Sequence, residues 1–350
     1  MKQVAFAIPG DLARPTGGYA YARHVLTWLP HFGISPVHVR LPASFPDPGE
    51  ADLAATSRIL LAQDWQTPLL IDGLAYGAFP TGMAAGLAGR VIALCHHPLA
   101  LETGTRPQRA AELRRLETAA LGYATAVIVT STATRDLLIE QFQVDPAKLT
   151  VAEPGVEAAE RASEGTFGTP PRLLAVGSLV PRKGYDVLIE ALGLLAALPW
   201  QMTIIGAEDP SGEHAAELRS RINANGLESR ITFHGAMSDL ELDRHYRNTD
   251  IFVMTSHYEG YGMVLTEALA RGLPIVTTLS GSGAAQLPDA AARKTAPGDA
   301  AAFAGALAHM IGDISARKRH ADAAWAAAAH LPRWQDTARI IADVCKSLKL

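Results

Sequence analysis

"IFVMTSHYEGYGMVLTEALARGLPIVTT", residues 251–278, reads as strand, turn, helix and strand in immediate succession. "IFVMT" and "PIVTT" are near-continuous apolar runs, the pattern of strands covered on both faces in a parallel sheet. The same alternation extends outward in both directions. Upstream of this stretch lie "LLAVG" (173–177), "MTIIG" (202–206) and "RITFHG" (230–235). Earlier come "VAFAI" (4–8), "PVHVR" (36–40), "PLLID" (68–72), "VIALC" (91–95), "AVIVT" (126–130) and "LTVAE" (149–153). Helix-length segments such as "YAYARHVLTWL" (19–29) and "PQRAAELRRLETAALGY" (107–123) lie between them. Repeated βαβ units of this kind imply doubly wound α/β domains. Residues 154–172, rich in Pro, Gly, Ser and charge, read as a linker between two of them.

The bulk properties narrow the class. A chain of 350 residues is long for one domain, and two are expected. A formal net charge of −4 gives no basic field for a nucleic acid. Two cysteines, Cys95 and Cys345, are too few for a disulfide framework or a cysteine-built zinc site, which fits a reducing, cytoplasmic setting. "MKQVAFAIPG" reads as a first strand rather than a signal peptide, because its apolar run stops at Pro9. No segment approaches the roughly 18 apolar residues of a spanning helix, which leaves a peripheral contact with the inner face of a membrane open.

Four stretches combine residues suited to one kind of ligand. In "HYEGYGMVLTE" (257–267), Gly260 and Gly262 clear the approach to a fresh helix start, whose amides attract anions. Glu267 lies too far into that helix to be only a capping carboxylate; a favourable helix-start charge is the ordinary alternative. "VGSLVPRKGYDVLIEAL" (176–192) places Arg182 and Lys183 at another strand-to-helix turn, suited to a diphosphate, though a solvated loop pair reads the same way. "RPTGGYAYARHVL" (14–26) carries Gly17 and Gly18 without the GxGxxG spacing of a dinucleotide fingerprint. In "VIALCHHPLALETG" (91–104), His96 and His97 follow a strand end, and adjacent residues there point to opposite faces. Neither HExxH nor a DxD pair is present, so no metal site is expected.

Together these motifs resemble the retaining glycosyltransferases of family 4, which have the GT-B fold. The likeness rests on Glu259-x7-Glu267 in "EGYGMVLTEALARGLPIV" (259–276), on "VGSLVPRKGYDVLIEAL", and on the glycine pair after the first strand. "VAEPGVE" (151–157), "ITFHGAMSDLELDRHYRNTDIFVMTS" (231–256), "APGDAAAFAGAL" (296–307) and the final "RWQDTARIIADVCKSLKL" (333–350) agree with it. It implies two facing Rossmann-like domains with an interdomain cleft. Residues 1–160 plus the helix 332–350 would form the acceptor side, and 170–331 the nucleotide-sugar side.

The resemblance also implies roles. Glu259 would contact hydroxyls of the donor sugar and Glu267 the ribose. The amides of Gly262, Met263 and Val264 would hold the distal phosphates beside Gly260, with Arg182 and Lys183 supplying positive charge. Gly17 and Gly18 would admit the diphosphate, and His96 would lie near the reacting centre. Two departures bear on donor choice: Ser178 stands where many members have Arg, and "LSGSGAAQL" (279–287) places Gln286 near a usual acidic position. No carboxylate is evident in the first domain as a nucleophile, so a front-face displacement is expected. The implied partners are a nucleotide-sugar donor of UDP or GDP type and a glycan, lipid-linked or small-molecule acceptor, without cofactor. An epimerase or hydrolase on the same scaffold, and a non-catalytic nucleotide-sugar-binding subunit, remain alternatives. A glycosidase needs two carboxylates but neither the cationic loop nor the anion site.

Overall fold

The computed structural model describes residues 1–102, 105–162, 170–208 and 212–348. The chain divides into two compact units, Met1–Gly155 with Pro332–Leu350, and Val156–Leu331.

The first unit contains β1 (Lys2–Pro9), α1 (Gly17–Trp28), β2 (Ile34–Leu41), α2 (Glu50–Leu61), β3 (Leu69–Asp72), α3 (Gly73–Tyr76), α4 (Thr81–Gly86), β4 (Val91–Cys95), α5 (Pro107–Tyr123), β5 (Ala126–Val129), α6 (Thr132–Phe142) and β6 (Leu149–Val151). Its sheet runs β2-β1-β3-β4-β5-β6, with every pairing parallel. Val4 to Ile8 are fully buried because helices cover both faces, which is why that strand is apolar without alternation. Chain order reverses between β1 and β3, so the loops after these two strands diverge at the carboxyl edge, where such sheets bind ligands.

The second unit contains β7 (Arg172–Val176), α7 (Tyr185–Leu194), β8 (Gln201–Ile205), α8 (Glu213–Ala224), β9 (Ile231–His234), α9 (Asp239–Arg247), β10 (Ile251–Met254), α10 (Met263–Ala270), β11 (Ile275–Thr278), α11 (Ser282–Gln286), β12 (Ala292–Thr295), α12 (Ala300–Gly312) and α13 (Ile314–Ala328). Its sheet order is β12-β11-β10-β7-β8-β9, the 3-2-1-4-5-6 winding of a Rossmann sheet. Here the reversal falls between β7 and β10. β12, "ARKT", was not read as a strand from the sequence: it is an edge strand, and its Arg293 and Lys294 break any apolar run.

Part of the segment read as a linker is pinned to the second unit. The Ala162 amide donates to the Arg271 carbonyl at 2.8 Å, Glu160 pairs with Arg247 at 2.5 Å, and Arg161 pairs with Asp322. The rest of that reading, 163–169, lies outside the described residues. The last helix, α14 (Trp334–Ser347), returns to the first unit. Trp334, Ala338, Ile341, Ala342 and Cys345 are buried along one helical face. Thr337 donates to the Glu153 carbonyl at 2.7 Å, and a Cβ on Gly155 would stand 2.2 Å from the Trp334 amide. Among the described residues no helix is long and apolar enough to cross a membrane.

Candidate functional site

The turns after β7 and β10 bring three charged side chains together. Lys183 Nζ lies 2.6 Å from Glu259 Oε1, and Arg182 lies 3.1 Å from Glu259 Oε2. Ser256 donates to Glu259 Oε1 at 2.7 Å, and Arg182 also donates to the Tyr258 carbonyl at 2.8 Å. Glu259 is 7% exposed. Burial alone would raise its carboxyl, but the charges of Lys183 and Arg182, with hydrogen bonds from Lys183 and Ser256, outweigh it and hold the carboxyl below its ordinary range. Two cations thus share one carboxylate.

Backbone geometry fixes this arrangement. Gly184 ends the Pro181–Lys183 turn at φ +63°, and a Cβ there would stand 2.2 Å from the Thr255 carbonyl oxygen. The His257 amide donates to the Arg182 carbonyl at 2.9 Å, locking the two turns together. The loop after β11 supports them from another side. Glu259 N donates to the Ser280 carbonyl at 2.6 Å, and a Cβ on Gly281 would come within 2.1 Å of the Glu259 carbonyl oxygen. The glycines of the divergent "LSGSGAAQL" therefore have a packing role, while Gln286 lies exposed at the end of α11.

Gly260 lies in the turn and Gly262 heads α10 at φ +95°, with Met263 and Val264 its first residues. No side chain caps this helix and its first turn holds no acid, so its amides and dipole are presented to an anion. Glu267 has a hydrogen-bond partner of its own: Tyr246 donates to its Oε2 at 2.9 Å. Burial raises the Glu267 carboxyl, with the Tyr246 hydrogen bond and the Arg271 charge pulling partly back. Ser178 is half-buried in the loop after β7, where its carbonyl accepts from the Val180 amide at 2.9 Å.

The first unit holds the remaining candidates. Gly17 opens α1, and a Cβ on Gly18 would lie 3.6 Å from the His96 ring, an ordinary contact. Gly18 is therefore a neighbour of His96. The His96 ring meets Tyr21 edge-on at 5.0 Å, and Tyr21 donates to the Ala152 carbonyl at 2.9 Å. The sequence offers no evident nucleophilic carboxylate in this domain; the structure puts the Asp72 carboxylate beside the histidine, with Oδ2 3.5 Å from His96 Nε2. Asp72 was legible only as the last residue of a strand, and its closeness to His96 arises from sheet pairing. Among the described residues no group of three or more His, Cys, Asp or Glu is placed to hold a metal ion.

Glu117 on α5 is 2% exposed and accepts from the Leu99 amide at 3.2 Å. Burial pushes its carboxyl up to about 8 from an ordinary 4.5, against the Leu99 and Ala100 amides and the Arg114 charge. The folded chain therefore binds this proton more tightly than the unfolded one. The stability it supports is complete below about pH 4.5 and is lost as pH rises toward about 8. Glu117→Gln keeps an acceptor for Leu99 without the titration. It should add up to about 3 kcal/mol at neutral pH, at about 1.4 kcal/mol per unit, and nothing near pH 4. Urea denaturation at both pH values checks this, and an equal effect at both would contradict it.

Comparison with known proteins identifies the family. The family model for glycosyl transferases group 1 matches residues 156–325, and that for glycosyltransferase family 4 matches residues 25–160. The chain belongs to this family. Among the relatives of this family 4 chain is the D-inositol 3-phosphate glycosyltransferase of Arthrobacter sp. (strain FB24), 32% identical over 261 residues, which are 69% of this chain and 60% of that protein. Another is the mannosylfructose-phosphate synthase of Agrobacterium fabrum, 31% identical over 171 residues, covering 44% and 38% respectively. The chain thus spans less than two thirds of the length of these relatives. Among solved structures, sucrose-phosphate synthase from Thermosynechococcus elongatus superposes with a TM-score of 0.84 at 19% identity, covering 99% of each chain. The Anabaena Alr3699/HepE protein, solved with UDP and glucose, gives 0.78 at 18%, covering 99% and 100%. Likeness at that identity establishes the GT-B fold of the family 4 chain.

Proposed function

We propose that this chain is a retaining glycosyltransferase, transferring a sugar from a nucleoside diphosphate to an acceptor hydroxyl without a metal ion. The observation that carries the reading is the buried Glu259 carboxylate, ion-paired to Lys183 and Arg182 beside the uncapped start of α10. A lone anion site needs only the cations and the helix start. A carboxylate held ionised among them adds an acceptor for sugar hydroxyls next to the phosphate-binding charge. Gly262, Met263 and Val264 present amides to the distal phosphates, and Glu267 serves the ribose hydroxyls. His96, in the first unit, serves the transfer step.

The cationic pair stabilises charge on the departing diphosphate, and a leaving phosphate oxygen takes the acceptor proton as the new glycosidic bond forms on the same face. This keeps the anomeric configuration. The relatives' printed names, an inositol-phosphate glycosyltransferase and a sugar-phosphate synthase, favour a small polyol or sugar acceptor over a polymer.

A thermal-shift screen of UDP- and GDP-sugars should raise Tm with one nucleotide class, since ligands that bind only the folded state stabilise it. Turnover of that donor should then require an acceptor, persist in excess chelator, and give by NMR a product with the donor's anomeric configuration. Chelator-abolished turnover restored by manganese would overturn metal independence. Donor hydrolysis unaffected by every acceptor would favour a hydrolase. An inverted product would overturn retention.

A further inference from the structure

Asp72 carries an inference that rests on the reading above and deepens it. It is 6% exposed, at the carboxyl end of β3, where β3 pairs with β4, the strand leading into His96. The pairing is tight: a Cβ on Gly73 would stand 2.8 Å from the Leu94 carbonyl oxygen. Oδ1 of Asp72 accepts from the Leu74 amide at 2.8 Å, which fixes the plane of the carboxylate. Oδ2 is then left facing His96 Nε2 at 3.5 Å. Among the described residues, His96 is the one cationisable side chain within ion-pair reach of this buried carboxylate.

The imidazole side of the pair points the same way. His96 Nε2 is buried and makes no hydrogen bond at this separation. Buried polar atoms are satisfied in nearly all folded proteins, so this nitrogen calls for a partner. The acceptor facing it is Asp72 Oδ2. Hydrogen bonds at reaction sites are often long in the unliganded state and tighten in the complex. Tyr21 meets the ring edge-on and Gly18 lies close by.

We infer that Asp72 is a positioning residue that fixes the orientation and tautomer of His96, holding the proton on Nε2 and leaving Nδ1 as the acceptor. In a neutral imidazole, the hydrogen bond made by one nitrogen decides which carries the proton. In this role Asp72 acts through His96: one oxygen accepts from Leu74 and the other faces the ring.

Two-bond 1H–15N correlation spectra of [15N]histidine-labelled chain, with His96 assigned through His96→Gln, test this directly. Wild-type His96 should be the Nε2–H tautomer; Nδ1–H or an even mixture overturns the inference. Asp72→Asn sharpens the test. The Leu74 amide needs an acceptor, so the asparagine turns its NH2 toward His96 Nε2 and the tautomer should reverse. Turnover should then fall roughly 10- to 150-fold, the range for losing one hydrogen bond to a charged group, with donor KM changed much less. Loss of turnover with an unreversed tautomer would make Asp72 a helix cap or a nucleophile, and would overturn the inference. The tautomer is read without turnover, so a wild-type chain that transfers no sugar would defeat the proposed function and leave this test intact.

Discussion

Lys183→Ala is expected to lower turnover about 10²- to 10³-fold, the usual consequence of removing one preorganised group from developing negative charge. The local charge balance explains why. Lys183 and Arg182 both pair with Glu259, at the turn where the diphosphate is proposed to sit. Removing Lys183 takes one positive charge away from where leaving-group charge grows most. The diphosphate is already anionic before transfer, so binding of the free nucleotide should weaken less, by roughly tenfold. The turn should survive, because Glu259 keeps Arg182 and Ser256 as partners. Steady-state kinetics beside calorimetry separate the two effects. Equal losses in both would confine Lys183 to ground-state binding.

The two glutamates should part in a way that their spacing in the sequence does not suggest. Glu259→Gln should reduce turnover roughly 10- to 150-fold by weakening a charged hydrogen bond to the sugar. Free nucleoside diphosphate should bind at least as tightly as before, because losing the carboxylate raises the local charge by one. Glu267→Ala should instead weaken donor and free nucleotide by the same factor, since both carry the ribose. That variant also strips the buried Tyr246 hydroxyl of its acceptor, so some loss of Tm accompanies it. If Glu259→Gln weakens the free nucleotide as much as Glu267→Ala does, the division of labour is wrong.

The sheets were legible because buried parallel strands leave apolar runs, and "VAFAI" and "IFVMT" needed no tertiary information. β12 escaped because an edge strand with Arg293 and Lys294 has no such run. The contact of Lys183 with Glu259 spans 76 residues and could be anticipated only through a family pattern. Asp72 carried no signal, since a strand ending in Asp before Gly is ordinary turn chemistry. Its position is visible only once β3 and β4 are paired. The glycines of 279–287 read as a departure from the family pattern, whereas Gly281 is required by the Glu259 carbonyl. Contacts of this kind depend on how loops from different strands pack, which local propensity does not encode.

Calorimetric titration of free UDP and GDP into the wild-type chain and into the Arg182→Ala/Lys183→Ala double variant tests the central claim most directly. The wild type should bind one nucleotide class, and the double variant should bind it at least about tenfold more weakly, consistent with the loss of charge-assisted contacts. Heat absent for both nucleotides, or equal affinity in wild type and variant, would contradict a nucleoside diphosphate site built on these residues.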